Sequence, residues 1–167
     1  YDLRGFAASY EVTENVERGG RQSRRLPDYL NSVNDRFPDY DELMVVAPDL
    51  RTVASTGRAP GRLHFTGNWL QQARVGDPVF GDPLRADSAA VTTMEVAVPI
   101  VGATGRFLGV LAARLNFNGI EQVLRGLVAG HDGRLVVVRP DGHAIASIGG
   151  TFKPLPEATL RRLEQAE

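Results

Sequence analysis

Two stretches of this chain are near copies of each other, and that repeat constrains the fold more than any other feature. Residues 43–57 read LMVVAPDLRTVASTG, and residues 135–149 read LVVVRPDGHAIASIG. Leu43, Val45, Val46, Pro48, Asp49, Ala54, Ser55 and Gly57 return as Leu135, Val137, Val138, Pro140, Asp141, Ala146, Ser147 and Gly149. Each copy is an apolar run, a Pro-Asp pair and a second apolar run. Proline presets φ for a turn, and the aspartate carboxylate bonds the backbone beyond it, so each copy predicts a β-hairpin. Two such hairpins predict two copies of one module, the second cut off by the short tail that follows it.

The 167 residues suffice for one buried core and part of another. A hydrophobic fraction of 43% with 23% charged residues is that of an ordinary globular domain. The net charge of -1 offers no field for nucleic acid, so no nucleic-acid partner is expected. Lys153 is the only lysine, and the arginines are dispersed, which reads as a compositional bias rather than an anion-binding cluster. The absence of cysteine excludes disulfides, thiolate metal sites and a cysteine nucleophile, and it suits a bacterial extracytoplasmic domain. No run of eighteen apolar residues exists. The chain opens at Tyr1 without an initiator methionine, so its targeting segments are expected to lie outside it.

The spacing of apolar residues predicts a helix over 1–18, halted at Gly19 and Gly20, and a second over 27–36. Residues 57–67 read as a loop, 68–73 as a short helix and 78–82 as a short strand. Two long strands follow, 91–101 and 106–115, joined by the turn Gly102-Ala103-Thr104-Gly105. If that hairpin closes symmetrically, Val96, Val98, Ile100, Phe107, Gly109, Leu111 and Leu115 share one face. Ala97, Pro99, Leu108, Val110 and Ala112 then share the other with Glu95 and Arg114, as diagonal neighbours. Neither face is polar, so both need a cover: the N-terminal helices on one side, the 57–82 excursion on the other. A capping box at Asn118 and Glu121 and the stripe Ile120, Val123, Leu124, Leu127, Val128 predict a helix ending at Gly130. A polar helix is expected from Pro156. The fold class is α+β on an antiparallel sheet, followed by a fragment.

The segments LMVVAPDLRTVAST, NWLQQARVGDPVFGDP and MEVAVPIVGATGRFLGVLAARLNF together resemble the Cache sensor family in its double, PAS-like form. That resemblance implies a PAS-like antiparallel sheet of about five strands, entered through a long N-terminal helix. It divides the chain into an N-terminal helical segment (1–40), a membrane-distal module (41–130) and the incomplete start of a membrane-proximal module (131–167). It implies a periplasmic or extracellular sensor of a bacterial receptor feeding a histidine kinase, diguanylate cyclase or chemotaxis output. The membrane tether would come from segments outside this chain, and a weak homodimer would form through Leu3, Phe6 and Tyr10 of the N-terminal helix. Cache domains that bind amino acids place an Arg shortly before the Trp of the short helix and an Asp at the end of the last distal strand. Here Gly67 and Asn68 precede Trp69, and Arg114 stands at the position of that Asp. The expected ligand is therefore a small anionic or neutral molecule.

Long excursions in compact domains are usually functional, and this one carries an aromatic and polar mixture. The candidate ligand-binding residues are His64, Trp69, Gln72, Phe80, Asp82, Arg85 and Arg114, with Arg114 supplying the cation for an acidic group. Against that, Arg114 has a plain structural reading as the ion-pair partner of Glu95, and Trp69 and Phe80 as plugs of the loop. No cofactor or metal is expected, since the three histidines have no metal spacing. A triad of His64, Asp82 and Ser88 lacks the glycines of a nucleophile elbow, so the expectation is a non-enzymatic sensor. The alternatives are a cytoplasmic PAS-like interaction domain and a small hydrolase.

Overall fold

The computed structural model describes residues 3–18, 24–57, 62–85, 92–117, 122, 125–127, 135–138 and 144–148. The chain divides into two compact units, one of residues 1–82 and 93–116, the other of 83–92 and 117–167. In chain order the elements are α1 (Leu3–Ala7), α2 (Tyr10–Glu17), α3 (Arg25–Arg36), β1 (Tyr40–Val46), β2 (Thr52–Ser55) and α4 (Trp69–Arg74). They continue as β3 (Val79–Phe80), β4 (Leu84–Arg85), β5 (Thr92–Val101), β6 (Phe107–Asn116), β7 (Leu135–Val138) and β8 (Ala144–Ile148). The strand path of the first unit is β2-β1-β6-β5-β3, antiparallel at every step. This is an α+β, PAS-like sheet.

The N-terminal segment differs from the single long helix that its apolar spacing predicts. Ser9 stands in extended backbone and its hydroxyl accepts from the Val12 amide at 3.4 Å, which restarts the helix as α2. The helices α1, α2 and α3 bury Leu3, Ala7, Val12, Leu26, Leu30 and Val33 against one face of the sheet. Leu3 and Phe6, expected at a dimer contact, both make contacts within the chain. Leu3 lies in the core, and the Phe6 ring packs on Phe37 with centroids 5.4 Å apart. Tyr10 alone of the three is exposed.

The central hairpin keeps the predicted faces over most of its length, with Val96, Val98, Ile100, Leu111 and Ala113 on the helix side, but its register is displaced by two residues, so that Val96 faces Ala113. It does not close symmetrically. A bulge between Ile100 and Val101 sets Gly109 opposite Ile100 and Phe107 opposite Val101. Leu108 therefore joins the helix-side core, and Phe107 moves to the opposite face, the reverse of the symmetric expectation. Gly109 sits at φ 143°, and a Cβ there would strike the Val46 carbonyl, so only glycine lets β6 pass β1 at the bulge. The second face buries Met44, Val46, Val79, Ala97, Val110 and Ala112 beneath Ala73 of α4, with Leu63, Phe65, Trp69 and Phe107 half-buried around them. The 57–82 excursion thus covers the second face, as the two apolar faces require.

The repeat holds at the level of backbone pairing. In the first hairpin Met44, Val45 and Val46 face Ser55, Ala54 and Thr52, with a bulge between Val45 and Val46. In the second, Val136, Val137 and Val138 face Ser147, Ala146 and Ala144, with a bulge between Val137 and Val138. These three pairs and the bulge fall at equivalent positions, and β7 and β8 form their own two-stranded sheet. Residues 122 and 125–127 are helical, inside the helix expected to end at Gly130. The remaining expectations for 118–121, 128–134 and the helix from Pro156 lie outside the described residues.

The first turn carries a strained residue that the second copy does not share. The Leu50 amide donates to Ala47 O at 2.9 Å and the Arg51 amide to Asp49 Oδ1 at 3.1 Å, which leaves Leu50 at φ 65°. The equivalent residue of the second copy is Gly142. Left-handed backbone costs an L-residue about 1–2 kcal/mol, and glycine gives back about 0.5–1 kcal/mol in chain entropy. Leu50→Gly should therefore stabilise the domain by about 0.5–1 kcal/mol, read as a rise of about 1–4 °C in thermal midpoint. A fall in the midpoint would show that the exposed Leu50 side chain contributes more than its backbone costs.

Candidate functional site

Three charged residues stand on one rung of the sheet. Glu42 of β1 and Glu95 of β5 are both directly opposite Arg114 of β6, and all three lie on the excursion face. Glu95 and Arg114 are thus directly paired rather than diagonal. Direct pairing puts the guanidinium fork between two carboxylates: Nη1 donates to Glu42 Oε2 at 2.9 Å and Nη2 to Glu95 Oε1 at 3.1 Å. The side chains of Glu95 and Glu42 are 1% and 6% exposed, and that of Arg114 is 23% exposed. Buried carboxylates are tolerated only when paired and hydrogen-bonded. Here the remaining oxygens are also used. Ser55 Oγ donates to Glu42 Oε1 at 2.6 Å, the His64 amide donates to Glu95 Oε2 at 2.6 Å, and His64 Nδ1 lies 3.2 Å from Glu95 Oε1.

The rung also fixes the chain that covers it. Ser55 Oγ accepts from the Gly57 amide at 2.9 Å, so the residue that opens the excursion is held beside Glu42. A Cβ on Gly57 would collide with Glu42 Oε1, so the approach requires glycine. The excursion returns at His64, held by backbone and ring to Glu95. Two carboxylates thus share one guanidinium, with the His64 ring beside Glu95.

On the same face, α4 packs Ala73 and Trp69 onto the apolar cluster. Trp69 opens the helix half-buried, with its ring 5.0 Å from that of Phe65. Arg74 closes it, with its guanidinium carbon 5.4 Å from the centroid of the Phe107 ring. The bulge that turns Phe107 to this face supplies the ring. A shallow depression of about 360 Å³ is lined by Gly67, Asn68, Trp69, Leu70, Gln71 and Arg74.

The residues expected at the site are only partly gathered. His64 and Arg114 meet through Glu95, and Trp69 covers the same face. Phe80 pairs with Val96 and so takes the opposite face, 56% exposed, while its neighbour Val79 points to the excursion side. Gln72 and Asp82 are exposed. Arg85 falls in β4 of the second unit, and Ser88 lies outside the described residues. Among the described residues no group of three His, Asp or Glu could hold a metal, and no helix is long and apolar enough to cross a membrane. The sequence reading did not single out Ser55 or Glu42. The signal was a lone acid at an inward position of each apolar strand, DELMVV and MEVAV, since alternation puts Glu42 with Met44 and Glu95 with Ala97.

No protein-family model and no curated protein matches this chain. Solved structures do. The extracellular ligand binding receptor of Desulfohalobium retbaense superimposes with a TM-score of 0.69 over 96% of this chain and 31% of that one, at 12% identity. The sensor domain of the Vibrio cholerae histidine kinase DctB gives 0.63 over 98% and 66%, at 14% identity. The E. coli DcuS sensor domain gives 0.56 over 74% and 89%, at 19% identity. The chain therefore spans most of the DcuS domain, about two thirds of the DctB domain and about a third of the Desulfohalobium receptor. The fold is that of these sensor domains.

The rung makes a stability prediction. Arg114→Met leaves two buried carboxylates facing each other and should cost about 3–5 kcal/mol in chemical denaturation. The triple variant Glu42→Gln, Arg114→Met, Glu95→Gln should cost less than the single one, because no buried charge remains. Additive costs would show that the three residues do not act as one unit.

Proposed function

We propose that this chain is the extracytoplasmic ligand-sensing part of a bacterial transmembrane receptor, non-enzymatic and tethered to the membrane through segments outside residues 1–167. One observation carries the reading. The sheet face that faces the excursion is not sealed by apolar packing alone but holds a hydrogen-bonded charged rung, bordered by Trp69, Phe65 and His64. Apolar walls with a few directed polar groups are what a small-molecule site requires. The fold agrees with sensor domains such as those of DcuS and DctB, in which this reading places its expectation of a histidine kinase or related output.

The ligand sits against the excursion, near His64, Trp69 and Arg114, and it is small and neutral or anionic. The two halves of that expectation now rest on different groups. Arg114 is already matched by two carboxylates, so the rung itself favours a neutral ligand with hydrogen-bond donors and acceptors. An anion needs a cation elsewhere. Asp82 and Gln72 remain candidates at the rim of the excursion. The hydrolase alternative would need Ser88, which lies outside the described residues.

Thermal-shift screening with small polar metabolites tests the reading. A ligand at a hundredfold excess over its Kd stabilises by about 2.7 kcal/mol, or about 5–11 °C for a domain of this size. The expected result is a dose-dependent rise in the parent that shrinks in Trp69→Ala. A ligand that stabilises both proteins equally would put the site away from the excursion.

A further inference from the structure

We infer that Arg74 of α4, and not Arg114, takes the acidic group of an anionic ligand, in the depression that α4 forms with its leading turn. The inference rests on the ligand-sensing reading and gives its site a charge and a residue. Arg114 is excluded by its own partners. Both terminal nitrogens of its guanidinium donate to buried carboxylates and are thereby occupied. An anion brought to it would have to compete with two carboxylates already held in a poorly screened place.

Arg74 has the opposite surroundings. It is exposed, it makes no ion pair among the described residues, and its guanidinium lies over the Phe107 ring. A cation–π contact on an aromatic face holds a guanidinium in place without consuming its N–H donors, which can bind a carboxylate through two parallel hydrogen bonds. Gln71 lies three residues before Arg74 on the same side of α4, which adds an amide to those donors. Trp69 and Leu70, each half-buried, give the depression an apolar wall, and Asn68 gives it a second amide. Gly67, at φ 64°, has open space where a side chain would stand, so the turn leaves the mouth unobstructed. A volume of about 360 Å³ is near the lower end of small-molecule sites, which suits a monocarboxylate with a short apolar body.

The chain has a single tryptophan, and it lines this depression, so its emission reports on the site directly. Isovalerate and isovaleramide have nearly the same shape and differ in charge, and neither absorbs where tryptophan emits. Each is titrated into the parent, Arg74→Gln and Arg74→Lys, followed by Trp69 emission and by thermal midpoint, within a panel of short aliphatic acids and their amides. The inference predicts saturable emission changes and a raised midpoint with acids but not amides. Affinity should fall about ten- to hundredfold in Arg74→Gln, with partial recovery in Arg74→Lys, since a charged hydrogen bond is at stake. Circular dichroism of the variants checks that this exposed substitution leaves the fold intact. Acids that bind parent and Arg74→Gln equally, or amides that bind alone, would overturn the role of Arg74 while leaving a ligand-sensing domain. A panel in which nothing changes emission or midpoint would overturn both.

Discussion

The structure turns on the ion pairs between Arg114 and the two buried carboxylates of Glu42 and Glu95. Three charges on one rung of a sheet are costly to bury, and their desolvation is offset only because every carboxylate oxygen has a hydrogen-bond donor. Two of those donors belong to the covering chain. Gly57 is tied to Glu42 through Ser55, and His64 is tied to Glu95 through its backbone. The charges therefore do what apolar packing alone does poorly, which is to fix where a loop leaves the sheet and where it returns. A sheet face held in this way keeps polar groups near a cover that has little regular structure of its own.

Backbone irregularities shape the same face. The bulge near Gly109 exchanges Phe107 for Leu108 between the two cores, and Phe107 then carries the guanidinium of Arg74. A regular hairpin would have buried Phe107 beneath the N-terminal helices and left Arg74 without a ring. The bulge in β1 is repeated in β7, together with the three pairs around it. An apolar pattern alone does not repeat a bulge, so the two hairpins share a backbone plan and not merely a composition.

Much of this was legible in the residues. The alternation of β5 and β6 gives the faces of Glu95 and Arg114, with the register off by two residues, and the Pro-Asp turns give both hairpins. Two apolar sheet faces require two covers, and both are found. The misses have local causes. Ser9 is a weak helix former but a strong cap, and apolar spacing through Leu3, Phe6 and Tyr10 hides the break it makes. The exchange of Phe107 and Leu108 follows from Gly109, whose positive φ is invisible to a binary pattern. Phe80 was expected at the pocket because it is aromatic, yet a two-residue edge strand puts its neighbour Val79 inward. Glu42 was passed over because an acid in an apolar strand reads as an exception until its partner on the next strand is known. Pairing partners across three strands are a property of the fold, and no single segment announces them.

Hydrogen exchange at two amides tests the central claim most directly. If the rung anchors the cover, the amides of Gly57 and His64 should exchange slowly, like the ladder amides of Val45 and Leu111. Both should speed up together in Arg114→Met while Leu111 stays protected. Exchange at His64 and Gly57 as fast as in an open loop in the parent protein would contradict the account, because the carboxylates would then be buried without holding the chain above them.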